Sequence, residues 1–146
     1  AFDSFNSTLK DVTELSFNVT EGKIYDIELL GFYRSTVLTM GCRMGVRLPS
    51  GAGTIFGNMA GAINNTAVAT ELKPSIRAIG SSATTTSAFI VTTAVAPINQ
   101  DHNVEGRLVF TCTTSGVFCI TFGNETTGTA TVTLGVNSFI KINEMN

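Results

Sequence analysis

His102 is the single imidazole in a chain of 146 residues, and it stands between Asp101 and Asn103. An imidazole beside a carboxylate is where general-base chemistry starts, but it needs a nucleophile within hydrogen-bond reach. The sequence offers no motif that supplies one, so His102 is read as a solvent-exposed loop residue. Three cysteines, Cys42, Cys112 and Cys119, are dispersed, and neither CxxC nor HxxxH spacing occurs for zinc. Asp26, Glu28, Asp101 and Glu105 carry oxygens that calcium accepts, yet they lack the dense Asp/Asn loop of a calcium site. They are read as solvated carboxylates. Gly51-x-Gly53-x-x-x-Gly57 has the wrong spacing for a phosphate loop and no Lys-Ser/Thr after it, so it is read as a turn into a Gly-rich strand. Arg43 and Arg47, with Arg34, are candidates either to clamp a carboxylate of a neighbouring subunit or to stay solvated. Glu105 and Glu125 flank the inner strands of the C-terminal stretch, each a candidate partner for Arg107 or for another chain. No catalytic, cofactor-binding or metal site is expected from these residues.

The elements that hold these side chains read as strands. Residues 104–142 form four short runs that alternate or are wholly apolar, broken by Gly, Asn, Ser and Thr. That punctuation predicts an antiparallel meander. Upstream, residues 15–19 alternate as a strand, Glu21-Gly22 turns, and a long strand follows. Tyr25, Ile27, Leu29, Gly31 and Tyr33 share one of its faces. Ile24, Asp26, Glu28, Leu30 and Phe32 share the other, and the Leu30–Phe32 end is expected to be covered on both sides. The clearest period of two runs through Leu38, Met40, Cys42, Met44, Val46 and Leu48, which predicts a long strand with Met and Cys inward and Arg43 and Arg47 outward. Residues 49–53 are a turn and 54–62 a weak strand or loop. Residues 63–85 carry the least pattern. A short helix over 67–78 is considered, but Pro74 and the β-branched residues oppose it. Residues 86–95 are a strand, and 96–103 a loop with an Asx-type turn at Asp101.

Two registers are possible for the 104–123 hairpin. A two-residue turn puts Cys112 opposite Cys119 but sets Phe110 against Thr121 and Leu108 against Gly123. A three-residue loop at Thr114-Ser115-Gly116 pairs Cys112 with Phe118, Phe110 with Ile120 and Leu108 with Phe122. The second gathers the apolar residues on one face. Cys119 then points to the opposite face and no disulfide forms, in line with an odd cysteine count and a reducing site of synthesis. The expected fold is all-β: an antiparallel β-sandwich or jelly roll of residues 15–146, with residues 1–14 as an extended N-terminal arm.

Composition narrows the function classes. Hydrophobic residues make up 43% and charged residues 14%, with a net charge of −2. Charged content lies well below the usual ~25%, so the polar surface is built from Thr, Ser and Asn. The Lys and Arg residues are scattered, which argues against nucleic-acid binding. No apolar run reaches the ~20 residues of a membrane span, and no signal peptide is visible. The chain opens Ala1-Phe2-Asp3, read as a complete product whose initiator Met was removed. Sequons at Asn6, Asn18, Asn64 and Asn124 are read as chance in a chain rich in Asn and Thr.

The C-terminal third resembles a recurrent module of tailed-phage structural proteins. The resemblance rests on Val104-Glu105-Gly106-Arg107-Leu108, Ser115-Gly116-Val117-Phe118, Phe122-Gly123-Asn124-Glu125, Thr131-Val132-Thr133-Leu134 and Asn137-Ser138-Phe139-Ile140. Residues 15–17, 21–28 and the strand ending in Leu48-Pro49 are similar too. Residues 58–90 do not match, and Asn137 stands where the module often has Gly. The resemblance implies a jelly-roll virion surface module, usually a homotrimer, with no catalytic residues to carry over. The expected function is therefore a capsid decoration (cement) protein. It would be made in the host cytoplasm and sit on the virion surface, clamping the major capsid protein, with Phe2 and Phe5 of its arm lying on a neighbour. Two alternatives remain: the head of a tail or capsid fibre that presents loops 49–64 and 96–103 to a host surface receptor, and a secreted trimeric jelly-roll ligand. Neither a cofactor nor membrane insertion is expected.

Overall fold

The computed structural model describes residues 1–4, 7–37, 40–49, 53–64, 72–74, 77–82, 87–91, 99–128 and 130–145. These residues contain no helix and form antiparallel strands in two sheets, the arrangement of a β-sandwich. The strands are β1 Phe2–Ser4, β2 Lys10–Val19, β3 Ile24–Ser35, β4 Cys42–Arg47, β5 Gly53–Asn64 and β6 Leu72–Pro74. They continue as β7 Arg77–Ser82, β8 Ser87–Val91, β9 His102–Cys112, β10 Gly116–Asn124, β11 Val132–Leu134 and β12 Phe139–Met145.

The large sheet has eight strands, ordered β1-β11-β3-β9-β5-β6, with β12 also on β3 and β7 also on β5. The small sheet has four, ordered β2-β10-β4-β8. Period-two patterning explains which residues lie between them. Tyr25, Ile27, Leu29 and Tyr33 of β3, Ile55 and Met59 of β5, and Val104, Leu108 and Phe110 of β9 point inward from the large sheet. Met44 and Val46 of β4 and Phe118, Ile120 and Phe122 of β10 meet them from the small one. Four rings close a cycle across the layer: Phe17–Tyr25 at 5.8 Å, Tyr25–Phe110 at 6.4 Å, Phe110–Phe118 at 5.4 Å and Phe17–Phe118 at 5.1 Å. Such edge and tilted pairs add about 0.5–1.5 kcal/mol each beyond area burial. The Tyr25 hydroxyl stays satisfied by accepting the Thr20 amide at 2.9 Å.

The C-terminal meander does not form. β9 pairs with β3 and β5, whereas β10 pairs with β2 and β4, so residues 113–115 cross from one sheet to the other. The crossing runs beside the β2–β3 turn. Gly22 donates to the Cys112 carbonyl at 2.8 Å, Cys112 to the Lys23 carbonyl at 2.9 Å, and the Glu21 amide to Ser115 Oγ at 2.9 Å. A hairpin and a crossing arch bury the same residues. In one, Leu108, Phe110, Phe118, Ile120 and Phe122 lie side by side; in the other they face each other across the core. Alternation alone cannot separate the two.

Other expectations shift as well. The second strand begins at Lys10 rather than residue 15, and Phe2–Ser4, within the expected arm, pairs with β11 of its own chain. Of the two readings of residues 54–62, weak strand or loop, the strand holds and is longer: Gly53–Asn64 is a 12-residue strand inside the large sheet, flanked by β9 on one side. Leu72–Pro74 and Arg77–Ser82 are strands, so no helix covers them; the rest of 65–76 and the turn at 50–52 lie outside the described residues. The alternation from Met40 to Leu48 holds, with Met40, Cys42, Met44, Val46 and Leu48 all buried. At the far end of β3, Leu30 and Phe32 are half-buried on the outer face.

Candidate functional site

The outer face of the large sheet is a set of side-chain rows fixed by strand register. One row reads Phe139–Leu30–Glu105–Ala60 across β12, β3, β9 and β5. The next reads Lys141–Glu28–Arg107–Asn58, and the third Asn143–Asp26–Val109–Phe56. An open groove of about 550 Å³ lies over the first two rows, lined by Glu28, Leu30, Asn58, Glu105, Arg107 and Phe139 among others. Its floor is apolar along the first row except at Glu105, and charged along the other. Phe56 and Phe139 are large apolar side chains left 53% and 51% exposed at its margins, far from what core burial would give.

The charges of the ionic row are paired. Arg107 donates through Nε to Asp26 Oδ1 at 3.0 Å and through Nη2 to Oδ2 at 2.8 Å, a two-point fork that fixes both planes. The hydrogen bonds from Arg107 hold the Asp26 carboxyl below the usual carboxylate range, against a smaller opposing push from desolvation. Lys141 sits 3.5 Å from Glu28, and Lys23 sits 2.7 Å from Glu144. Glu28 and Glu105 face one groove on neighbouring strands along a diagonal, which places their Cα atoms roughly 7–8 Å apart. Among the described residues, no hydroxyl, thiol or imidazole lines the groove beside them.

The residues singled out in the sequence are dispersed. His102 is not in a loop: it opens β9, is 6% exposed, points into the sandwich and packs its ring 5.4 Å from that of Tyr33. Asp101 bonds Arg34, whose Nε and Nη2 both donate to Oδ1, at 2.9 and 2.8 Å. Asp26, Glu28, Asp101 and Glu105 do not converge, since each of the first three has its own cation, and no group of three metal-binding side chains occurs among the described residues. Arg47 is clamped by Asp11, and Arg43 Nη1 donates to the Ser7 carbonyl at 2.9 Å, so both arginines engage their own chain. Arg107 takes Asp26 rather than either glutamate; Glu125 instead accepts the Gly41 amide at 3.2 Å. Of the sequons, Asn124 is fully buried and donates to the Ala130 carbonyl at 2.8 Å, whereas Asn18 is exposed.

Cys42, Cys112 and Cys119 are all buried and none is in a disulfide, although the hairpin from which the absence of a Cys112–Cys119 bridge was argued does not form. Cys119 lies on the outer side of β10, facing away from the core as expected, yet is only 1% exposed. Burial pushes its thiol up, and Asp11 pushes it further. The groove was missed in the sequence because its rows join residues up to about a hundred positions apart. The apolar outward residues Leu30, Phe56 and Phe139 were its faint signal. No protein-family model matches the chain, and no curated protein or solved structure matches it either.

Proposed function

We propose that this chain is a non-enzymatic structural module of a virion, a capsid decoration protein that binds neighbouring shell subunits through the outer face of its large sheet. The observation that carries the reading is the groove between Phe139, Leu30 and the Asp26–Arg107 fork. It joins exposed apolar side chains to ion pairs already fixed in place, so little side-chain entropy is lost when another protein covers it. Charge elsewhere is sparse, at 14% of residues, which suits a surface that works when covered. Many modest contacts of this kind sum over a closed lattice into a strong shell. The sequence resemblance to tailed-phage structural modules points the same way.

Co-sedimentation with empty tailed-phage capsid shells tests it. The wild-type protein is expected to pellet with shells and to raise their rupture temperature. Phe139→Asp is expected to stay in the supernatant while melting within a few degrees of wild type. A protein that ignores shells but adheres to bacterial cells belongs to the receptor-binding reading. One that does neither removes both.

A further inference from the structure

The free edge of β12 offers a site for a second copy of this chain. The hydrogen-bond parity of β3 shows which groups are open. Phe32 uses both its backbone groups toward the β11–β12 side: its N–H donates to Ser138 Oγ at 3.1 Å, and its carbonyl accepts the Gly135 amide at 2.7 Å. Even-numbered residues of β3 therefore face β12, and they pair with Phe139, Lys141, Asn143 and Met145. The backbone groups of Ile140, Ile142 and Glu144 point the other way. Among the described residues β12 has no second neighbour, whereas β1 already occupies the same edge beside β11. Near that end, Val136 is 74% exposed.

We propose that two copies pair through β12, antiparallel about a two-fold axis at Ile142, and so join their large sheets into one. The sequence of the strand selects this register. Centring on Ile142 uses all seven residues of β12. It sets Ile142 against Ile142, Ile140 against Glu144, Phe139 against Met145 and Lys141 against Asn143. Centring one residue earlier places Lys141 directly against Lys141, which costs energy, and centring one residue later leaves Phe139 without a partner in the strand and sets Met145 against Lys141. In the favoured register the two Lys141 side chains lie only on a diagonal, each beside its own Glu28. The charges are thus compatible and the apolar ends meet. Exposed Phe139 and Met145, 51% and 38% accessible in one copy, cover each other in two. The open amides supply about six new hydrogen bonds across the axis. An isologous contact of this kind closes at two copies, so it differs from the trimeric packing that the resemblance implies, and it does not depend on the decoration role.

Sedimentation equilibrium at about 0.1 mM, a concentration that detects micromolar pairing, is expected to give the mass of two chains. A mass of one chain or of three overturns the proposal. Glu144→Pro removes an amide aimed at the open edge and leaves the β12–β3 ladder untouched, so this variant is expected to be monomeric; a Glu144→Pro dimer overturns the proposal as well. Hydrogen exchange on the wild type needs no variant. The amides of Ile140, Ile142 and Glu144 are expected to exchange about tenfold more slowly at high than at low protein concentration. Rates independent of concentration across the range where the mass doubles would place the contact elsewhere.

Discussion

The two sheets turn opposite kinds of outer face to their surroundings, although both are built from alternating strands. On the small sheet the outward residues in the middle of β10 are sealed, with Thr121 0% and Cys119 1% exposed, although Val117 at the start of the strand is 38% exposed. The cover is local. Between the Ser16↔Cys119 and Asp11↔Thr121 pairs the register of β2 shifts, and Val12 brings its carbonyl to within 3.4 Å of Cys119 Sγ. Arg47 lies across this region, bound to Asp11 through Nε at 2.8 Å and Nη2 at 2.6 Å. Sealing carries a cost, since Thr121 Oγ1 and Arg43 Nε are buried without a hydrogen-bond partner. On the large sheet nothing comparable lies over Phe56, Glu105 or Phe139 among the described residues, and the ion pairs there run along the surface. One face is finished within the chain. The other has the composition of a contact surface.

A lysine on each face breaks or confirms this contrast most directly. Thr121→Lys buries an unpaired charge and is expected to cost about 3 kcal/mol or more, whereas Asn58→Lys on the open face is expected to stay within about 0.5 kcal/mol; urea unfolding of the two variants makes the comparison. Thiol accessibility is the next largest effect. A buried thiol with a raised pKa presents little thiolate, so Cys119 is expected to react with a disulfide reagent at least about tenfold more slowly in the native protein than in the unfolded chain. Fast native labelling at Cys119 would show the seal to be open.

Acid sensitivity follows from Asp26. Its folded pKa lies below its unfolded value, so its contribution is present above the unfolded pKa and lost as pH falls through the folded one. Asp26→Asn is expected to flatten the acid limb of the melting curve between neutral pH and the lowest pH at which the protein folds. An unchanged limb would mean that the Arg107 fork contributes nothing to folding. A modest effect is expected for Phe56→Ser, about 1 kcal/mol, because its side chain is half in water already. A loss above about 2 kcal/mol would show that this face is covered.

Much of the inner face was legible. A period of two grouped Tyr25, Ile27, Leu29 and Tyr33 on one face without marking it as the inner one, and set Met40 through Leu48 inward, because such grouping is decided by each strand alone. The free state of the cysteines was legible for the same reason: Cys119 falls on the opposite face from Phe118 and Ile120 whichever strand lies next to β10. The position of His102 was not. Its neighbours Asp101 and Asn103 look like a turn, and only the pairing of Tyr33 with His102 draws it into β9 and buries it. The candidate groove was hidden for a related reason, as its rows combine β3, β5, β9 and β12, whose register no single segment records.

The sequence by itself determined an all-β chain, the residues that share a face on several strands, the turn at Glu21-Gly22 and the lack of a disulfide. These follow from local chemistry: side-chain alternation, Gly and Asn at positions that strands disfavour, and the parity of cysteine positions. The tertiary structure decided which strands are neighbours. It split β9 and β10 between two sheets, placed β11 and β12 end to end along β3, and matched Asp26 with Arg107 across 81 positions of sequence. Backbone hydrogen bonds and apolar burial are the same kind of interaction for every antiparallel partner. The choice among partners therefore rests on how all the strands fill one core together, a property no single strand carries.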